Sequence, residues 1–281
     1  YNEIALLQQQ NGQLENARQN WAYALQLDPS YTEAKANAAM SYAEENVPKA
    51  IVELEKIAAD DPTGALTFYY LTKLYMQREL YEKAWNSAVK AKELAPTSDE
   101  VRVLLALLSC HDNQLENAKI YFAKAELLNP DNLAALMGLA DLYSQENNFA
   151  EAEPRYKRVI ELDAKNFDAH NNYAEMLQRQ GRLSEALEEY RAAVIINPGG
   201  AEVSNNLGLI LRDLGEYDEA LGLLFNAFAR QPEREEIAVN LSETLIMLAR
   251  QDAGKAIKIA ENWLKQAPQN VFAQHTAAAL K

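Results

Sequence analysis

Apolar residues recur at spacings of three and four along almost the whole chain, in runs long enough for helices and too long for strands. Leu133–Gln145 and Phe149–Leu162 are two such runs, and the spacing predicts a helix over each. A short break separates the runs of a pair. It holds residues suited to a left-handed helix end, namely Gly12, Asn113, Asn147, Gly181 and Gly215. A proline closes the second run, because proline cannot continue the helical hydrogen-bond ladder and restricts the residue before it.

The breaks are periodic. Prolines stand at 29, 62, 96, 130, 198, 232 and 268, spaced 33, 34, 34, 68, 34 and 36. The step of 68 hides one turn, whose midpoint is Ala164 after Leu162-Asp163. Twelve residues before each step lies an alanine: Ala17, Ala50, Ala84, Ala118, Ala152, Ala186, Ala220 and Ala256. A second slot, in the preceding helix, holds Ala5, Ala39, Thr72, Ala106, Ala140, Ala174, Gly208 and Ser242, all small. Paired small residues predict two helices that approach closely. The phrase Leu14-Glu15-Asn16-Ala17 returns at Leu115-Glu116-Asn117-Ala118, which fixes the register.

A period of 34 residues with these slots resembles the tetratricopeptide repeat (TPR). Tyr75 and Tyr143 stand at that family's tyrosine slot, and Trp21, Phe122, Tyr156 and Tyr190 at its later aromatic slot. The resemblance covers essentially the whole chain. It implies an all-α fold, a right-handed α-solenoid of helix-turn-helix repeats. The slots divide 1–281 into one array of eight repeats at about 1–31, 32–64, 65–98, 99–132, 133–166, 167–200, 201–234 and 235–270, with a terminal helix over 271–281. The second repeat is one residue short, expected in the turn Asn46-Val47-Pro48. The eighth is two residues long, expected around Arg250 to Gly254. The last helix ends Ala277-Ala278-Ala279-Leu280, more apolar than a capping helix should be. Both ends are therefore expected to be cut from a longer chain.

Charge narrows the partners. The net charge of −14 argues against nucleic acid, where a basic face supplies most of the affinity, and against an anionic membrane surface. It points to a protein or peptide ligand that is neutral to basic. No apolar run approaches the ~18–20 residues that cross a bilayer, so no membrane insertion is expected. The single cysteine, Cys110, rules out an intrachain disulfide framework. A soluble chain is expected, with the cytoplasm favoured over the periplasm.

Chemistry-bearing patterns are sparse. His111, His170 and His275 have no further histidine or cysteine at metal-ligand spacing, and Cys110-His111 reads as two residues closing a helix. Gly199-Gly200 follows Pro198 in a turn and opens no phosphate loop. Neighbouring carboxylates such as Glu188 and Glu189 point apart on a helix. No catalytic residue, metal or cofactor is expected within the chain.

The resemblance also implies where a ligand would lie, since in this family the first helices of the repeats line a concave groove. Its fifth slot maps here onto Tyr69, Met137, Asn171 and Asn205, and its sixth onto Asn37, Tyr70, Leu104, Gly138, Asn172, Asn206 and Asn240. The ninth maps onto Lys73, Leu107, Asp141, Glu175, Leu209 and Glu243, and the last two onto Arg179 and Arg212. Asn172, Asn206 and Asn240 stand one repeat apart. They look like the asparagine ladder of O-linked N-acetylglucosamine transferase TPR regions, where side-chain amides hold a peptide backbone. An amide suits this role because it offers an acceptor and two donors. Asparagine at this slot is also a common consensus residue of such repeats, and both readings stay open.

The N-terminal half of the groove is expected to be apolar, with Leu66, Tyr69, Tyr70, Met76, Val103, Leu104, Leu107 and Met137 forming an exposed patch. Packing between neighbouring helices could instead bury several of these. The C-terminal half is expected to be acidic, through Asp168, Glu175, Glu202, Asp213, Glu236 and Glu243, with Arg179 and Arg212 among them. The dicarboxylate clamp of chaperone-binding TPR domains is excluded. Asn37 could fill its middle position, but Asn2, Leu6, Leu66 and Tyr70 stand where its other residues, mostly basic, are needed.

The expected function is a non-catalytic scaffold that binds an extended or helical segment of a partner. A second expectation is the substrate-recruiting arm of a larger methyltransferase or glycosyltransferase type enzyme. A third is self-association through uncapped ends.

Overall fold

A computed structural model describes residues 1–281. The chain is all-α, with seventeen α-helices in order. They are α1 (Asn2–Gln10), α2 (Leu14–Leu27), α3 (Thr32–Met40), α4 (Val47–Asp60), α5 (Ala65–Gln77), α6 (Tyr81–Leu94), α7 (Asp99–His111), α8 (Leu115–Leu128) and α9 (Leu133–Gln145). There follow α10 (Phe149–Leu162), α11 (Phe167–Arg179), α12 (Leu183–Ile196), α13 (Ala201–Asp213), α14 (Tyr217–Arg230), α15 (Glu235–Ala249), α16 (Ala253–Gln266) and α17 (Val271–Ala279). The chain forms two compact units, 1–142 and 143–281.

The slot alanines explain the packing. Ala17, Ala50, Ala84, Ala118, Ala152, Ala186, Ala220 and Ala256 are all fully buried. At the facing slot, a Cβ added to Gly208 would stand 2.8 Å from Leu224 Cγ, so α13 and α14 meet at a distance only a missing side chain allows. In 1–142, α1 packs on α2, α3 on α4, α5 on α6 and α7 on α8. In 143–281, α11 packs on α12, α13 on α14 and α15 on α16, while α17 covers α15 and α16. Within each unit the first helices of successive pairs also touch, α3 with α5 and α5 with α7 in one, α13 with α15 and α15 with α17 in the other. The first helices α3, α5 and α7 therefore make a continuous face in one unit, and α13, α15 and α17 in the other.

Two turn types carry the period. Between the helices of a pair the chain turns through a left-handed residue at Gly12, Asn113, Asn147, Gly181 and Gly215, as the sequence predicts, and also at Glu79, where φ is 58°. The Leu80 amide then bonds the Tyr75 carbonyl at 2.8 Å and the Glu79 amide the Met76 carbonyl at 3.0 Å, closing the helix end as a Schellman motif. Between pairs, the residue before five of the eight steps makes an Asx turn. Asp28 accepts from the Ser30 amide at 2.9 Å, Asp61 from Thr63 at 3.0 Å, Asn129 from Asp131 at 3.2 Å and Asn197 from Gly199 at 3.1 Å. Asp163 does the same for Lys165 at 3.1 Å, which is why the turn survives with Ala164 in the proline position.

The irregular repeats resolve differently. After α3 the chain passes through a 3-10 turn, Ser41–Glu44, and the Asn46 side chain then caps α4 by accepting from the Lys49 amide. The two extra residues near the C-terminus do not sit in the turn: α15 has 15 residues where α13 has 13, and Gly254 lies within α16. Helix extension keeps their backbone groups hydrogen-bonded, which a longer loop would not. Pro154, exposed inside α10, is a local departure from helix propensity that the periodicity does not require.

Candidate functional site

In 1–142 the first-helix face carries a buried chain of polar side chains. Trp21 Nε1 donates to Asn2 Oδ1 at 3.0 Å, and Asn37 Nδ2 donates to the same oxygen at 3.0 Å. Tyr70 Oη donates to Asn37 Oδ1 at 2.8 Å, and Asn2 Nδ2 to Tyr31 Oη at 3.2 Å. Asn2 and Asn37 are both buried. Above this floor opens a groove of about 430 Å³, walled by Leu6, Leu66, Tyr69, Tyr70 and Val101 and edged by Glu3, Glu33, Ser98 and Glu100. Burial, then Tyr69, pushes the Tyr70 phenol up to about 12. Burial, then Glu100 and Asp99, raises that of Tyr69. Both phenols therefore stay protonated at neutral pH.

The same pairing recurs in 143–281, where Asn240 Nδ2 donates to Asn205 Oδ1 at 2.8 Å. Both partners are buried. In each case an asparagine on one first helix accepts from one 35 residues later on the next. Asn171 Nδ2 donates to Asn172 Oδ1 at 3.2 Å, while the buried Asn171 Oδ1 has no hydrogen-bond partner. Burial, then Glu175, raises the Tyr190 phenol, and a hydrogen bond from Asn206 opposes them. Arg212 bonds Glu243 and Asp213, each at 3.0 Å. Arg179 donates to Asn147 Oδ1 at 2.6 Å and lies over the Phe149 ring at 5.5 Å. The two arginines of this acidic face are thus held by the chain itself.

Residues 137–201 and 204–236 match tetratricopeptide repeat family models. The fold agrees: PilW, a widely conserved type IV pilus biogenesis factor, superposes with a TM-score of 0.65 at 21% identity, over 75% of this chain and 98% of that one. The chain carries tetratricopeptide repeats over residues 137–201 and 204–236, on the fold of solved tetratricopeptide repeat proteins. YrrB, described as a TPR protein with an unusual peptide-binding site, matches with a TM-score of 0.52 at 21% identity, over 65% of this chain and 95% of that one. Yeast Tom70 matches with a TM-score of 0.51 at 20% identity, over 96% of this chain and 59% of that one. No curated relative matches the sequence.

TPR-type repeats are typically non-catalytic interaction modules. No group of three or more His, Cys, Asp or Glu side chains is placed to hold a metal ion. No helix is long and apolar enough to cross a membrane.

Several positions differ from what the repeat slots predict. Asn37, Asn205 and Asn240 are buried and their amides bond other side chains of the protein. Val103 and Leu104 are buried too, so the apolar patch is smaller than expected. At two sixth-slot positions the aromatic residue of the preceding repeat comes close. At Gly138, a Cβ would meet the Phe122 ring at 2.4 Å, and Asn206 stands in the same relation to Tyr190. Tyr69, Tyr70, Met137, Asp141, Asn171, Asn172, Asn206, Leu209 and Arg212 are half-buried. Lys73, Leu107, Glu175, Arg179 and Glu243 are exposed. Glu3, Glu33 and Glu100 line the groove without having been singled out in the sequence. Glu33 and Glu100 are each the second residue of a repeat, as Leu66 is, and that shared position was the available signal.

Proposed function

We propose that this chain is a non-catalytic scaffold that binds an extended or helical segment of another protein along the face made by the first helices of its repeats in 1–142. The observation that carries this reading is the groove of about 430 Å³ in 1–142, a volume in the range of ligand sites. Its floor is pre-organised. Asn2, Asn37 and Tyr70 are fixed by hydrogen bonds before a ligand arrives, which lowers the ordering cost of binding. The peptide-binding site of YrrB supports the reading through fold alone. In 143–281, half-buried Asn172 and Asn206 with exposed Glu175 offer a second contact region.

The test is selection of a phage-displayed random peptide library against the wild-type protein. Each winner is then measured by fluorescence anisotropy against a Leu66→Ala/Tyr69→Ala variant. Both side chains are half-buried walls of the groove, so circular dichroism should be unchanged. Affinity should fall by tenfold or more, roughly what loss of an aromatic anchor costs. Winners that bind both proteins equally would remove the groove from the account.

A further inference from the structure

We infer that the groove takes the cationic side chain of an arginine or lysine in the bound segment, which rests on the scaffold reading above. Three carboxylates from three different helices line it, Glu3 of α1, Glu33 of α3 and Glu100 of α7. No lysine, arginine or histidine lines it with them. Glu33 accepts from the Tyr31 hydroxyl at 3.5 Å and Glu100 from the Ser98 hydroxyl at 2.9 Å, contacts with neutral groups. Each of the three sits in the first turn of its helix, where the helix dipole favours an anion. The groove itself supplies no counter-ion for them.

The walls complete the recognition. Tyr69 and Tyr70 stand with ring centroids 5.6 Å apart, tilted by 50°. An aromatic face attracts a cation, most strongly when both are withdrawn from water. The chain already uses this contact, since Lys73 Nζ lies 5.5 Å from the Tyr69 ring centroid although Lys73 does not line the groove. A guanidinium fits best, because its planar fork matches carboxylates and its weak hydration suits an aromatic wall. The acidic face of 143–281 differs, because Arg212 there neutralises Glu243 from within. The groove in 1–142 therefore complements a positive charge.

The peptides selected above provide the test. Winners that depend on Tyr69 should be enriched in arginine and lysine, and replacing the basic residue by citrulline or norleucine should weaken binding about tenfold or more. The triple variant Glu3→Gln/Glu33→Gln/Glu100→Gln should lose a similar factor while melting at the wild-type temperature, because all three side chains are exposed. The single variant Glu100→Gln, which keeps an acceptor for Ser98, should show part of the same loss. Tyr69-dependent peptides without a basic residue, or with affinity untouched by the glutamine variants, overturn the cation site and leave the scaffold standing. A selection with no Tyr69-dependent winner overturns both.

Discussion

Glu79 holds a backbone conformation that its side chain disfavours, with φ at 58°, in a turn where the equivalent positions use glycine or asparagine. A left-handed residue with a Cβ costs about 1–2 kcal/mol, and glycine offsets part of its advantage by adding roughly 0.5–1 kcal/mol of unfolded-chain entropy. Glu79→Gly is predicted to stabilise the protein by about 0.5–1 kcal/mol. Urea denaturation should show a higher midpoint with an unchanged slope. A lower midpoint would mean that a Glu79 side-chain contact outweighs the backbone. At this scale the sequence was legible wherever a residue answers to its own backbone, as Gly12, Asn113 and Gly215 do. Asn37 and Asn240 were not, because the use of an amide depends on which side chain a neighbouring helix brings to it. Nothing in a spacing of 35 residues distinguishes an amide offered to a ligand from one bonded to Asn2 or Asn205.

Helices were the most legible feature, since the periodic alanines predicted contacts that are now fully buried. What ties one helix pair to the next was less so, because it rests on long side chains whose rotamers no pattern encodes. Glu153 of α10 is one such tie. It accepts from Arg182 at 2.7 and 3.1 Å before α12 and from Tyr173 of α11 at 3.0 Å, and it pairs with Lys157 at 2.7 Å. Chiefly through Arg182, and against burial, these contacts hold its carboxyl at about 2, below its ordinary 4.5. A depressed carboxylate stabilises the fold above its unfolded value, and that contribution is lost as pH falls through the folded one. The thermal midpoint of the wild type should therefore drop across the window from 4.5 to 2 by more than that of Glu153→Gln. Parallel curves for the two proteins would show that this cluster does not set the acid stability.

Across the whole molecule, the packing is local. Trp21 belongs to a small core with Ala5, Ala17, Ala24 and Ala34, while Trp263 belongs to another with Leu224, Leu241 and Leu245. In a solenoid each repeat draws its stability from itself and its immediate neighbours, so a defect at one end is not shared with the other. Trp21 is fully buried and its indole supports Asn2, so Trp21→Ala should cost about 3–5 kcal/mol locally and release the Asn2–Asn37 bond. Hydrogen exchange followed by mass spectrometry should then show protection lost in α1, α2 and α3 and retained in α13 to α16. A uniform loss over all helices would mean that the chain unfolds as one cooperative unit. The local outcome bears on function as well. The groove floor runs from Trp21 through Asn2 and Asn37 to Tyr70, so a ligand bound there would restore protection to α1–α3 and leave the exchange of the distant helices unaltered.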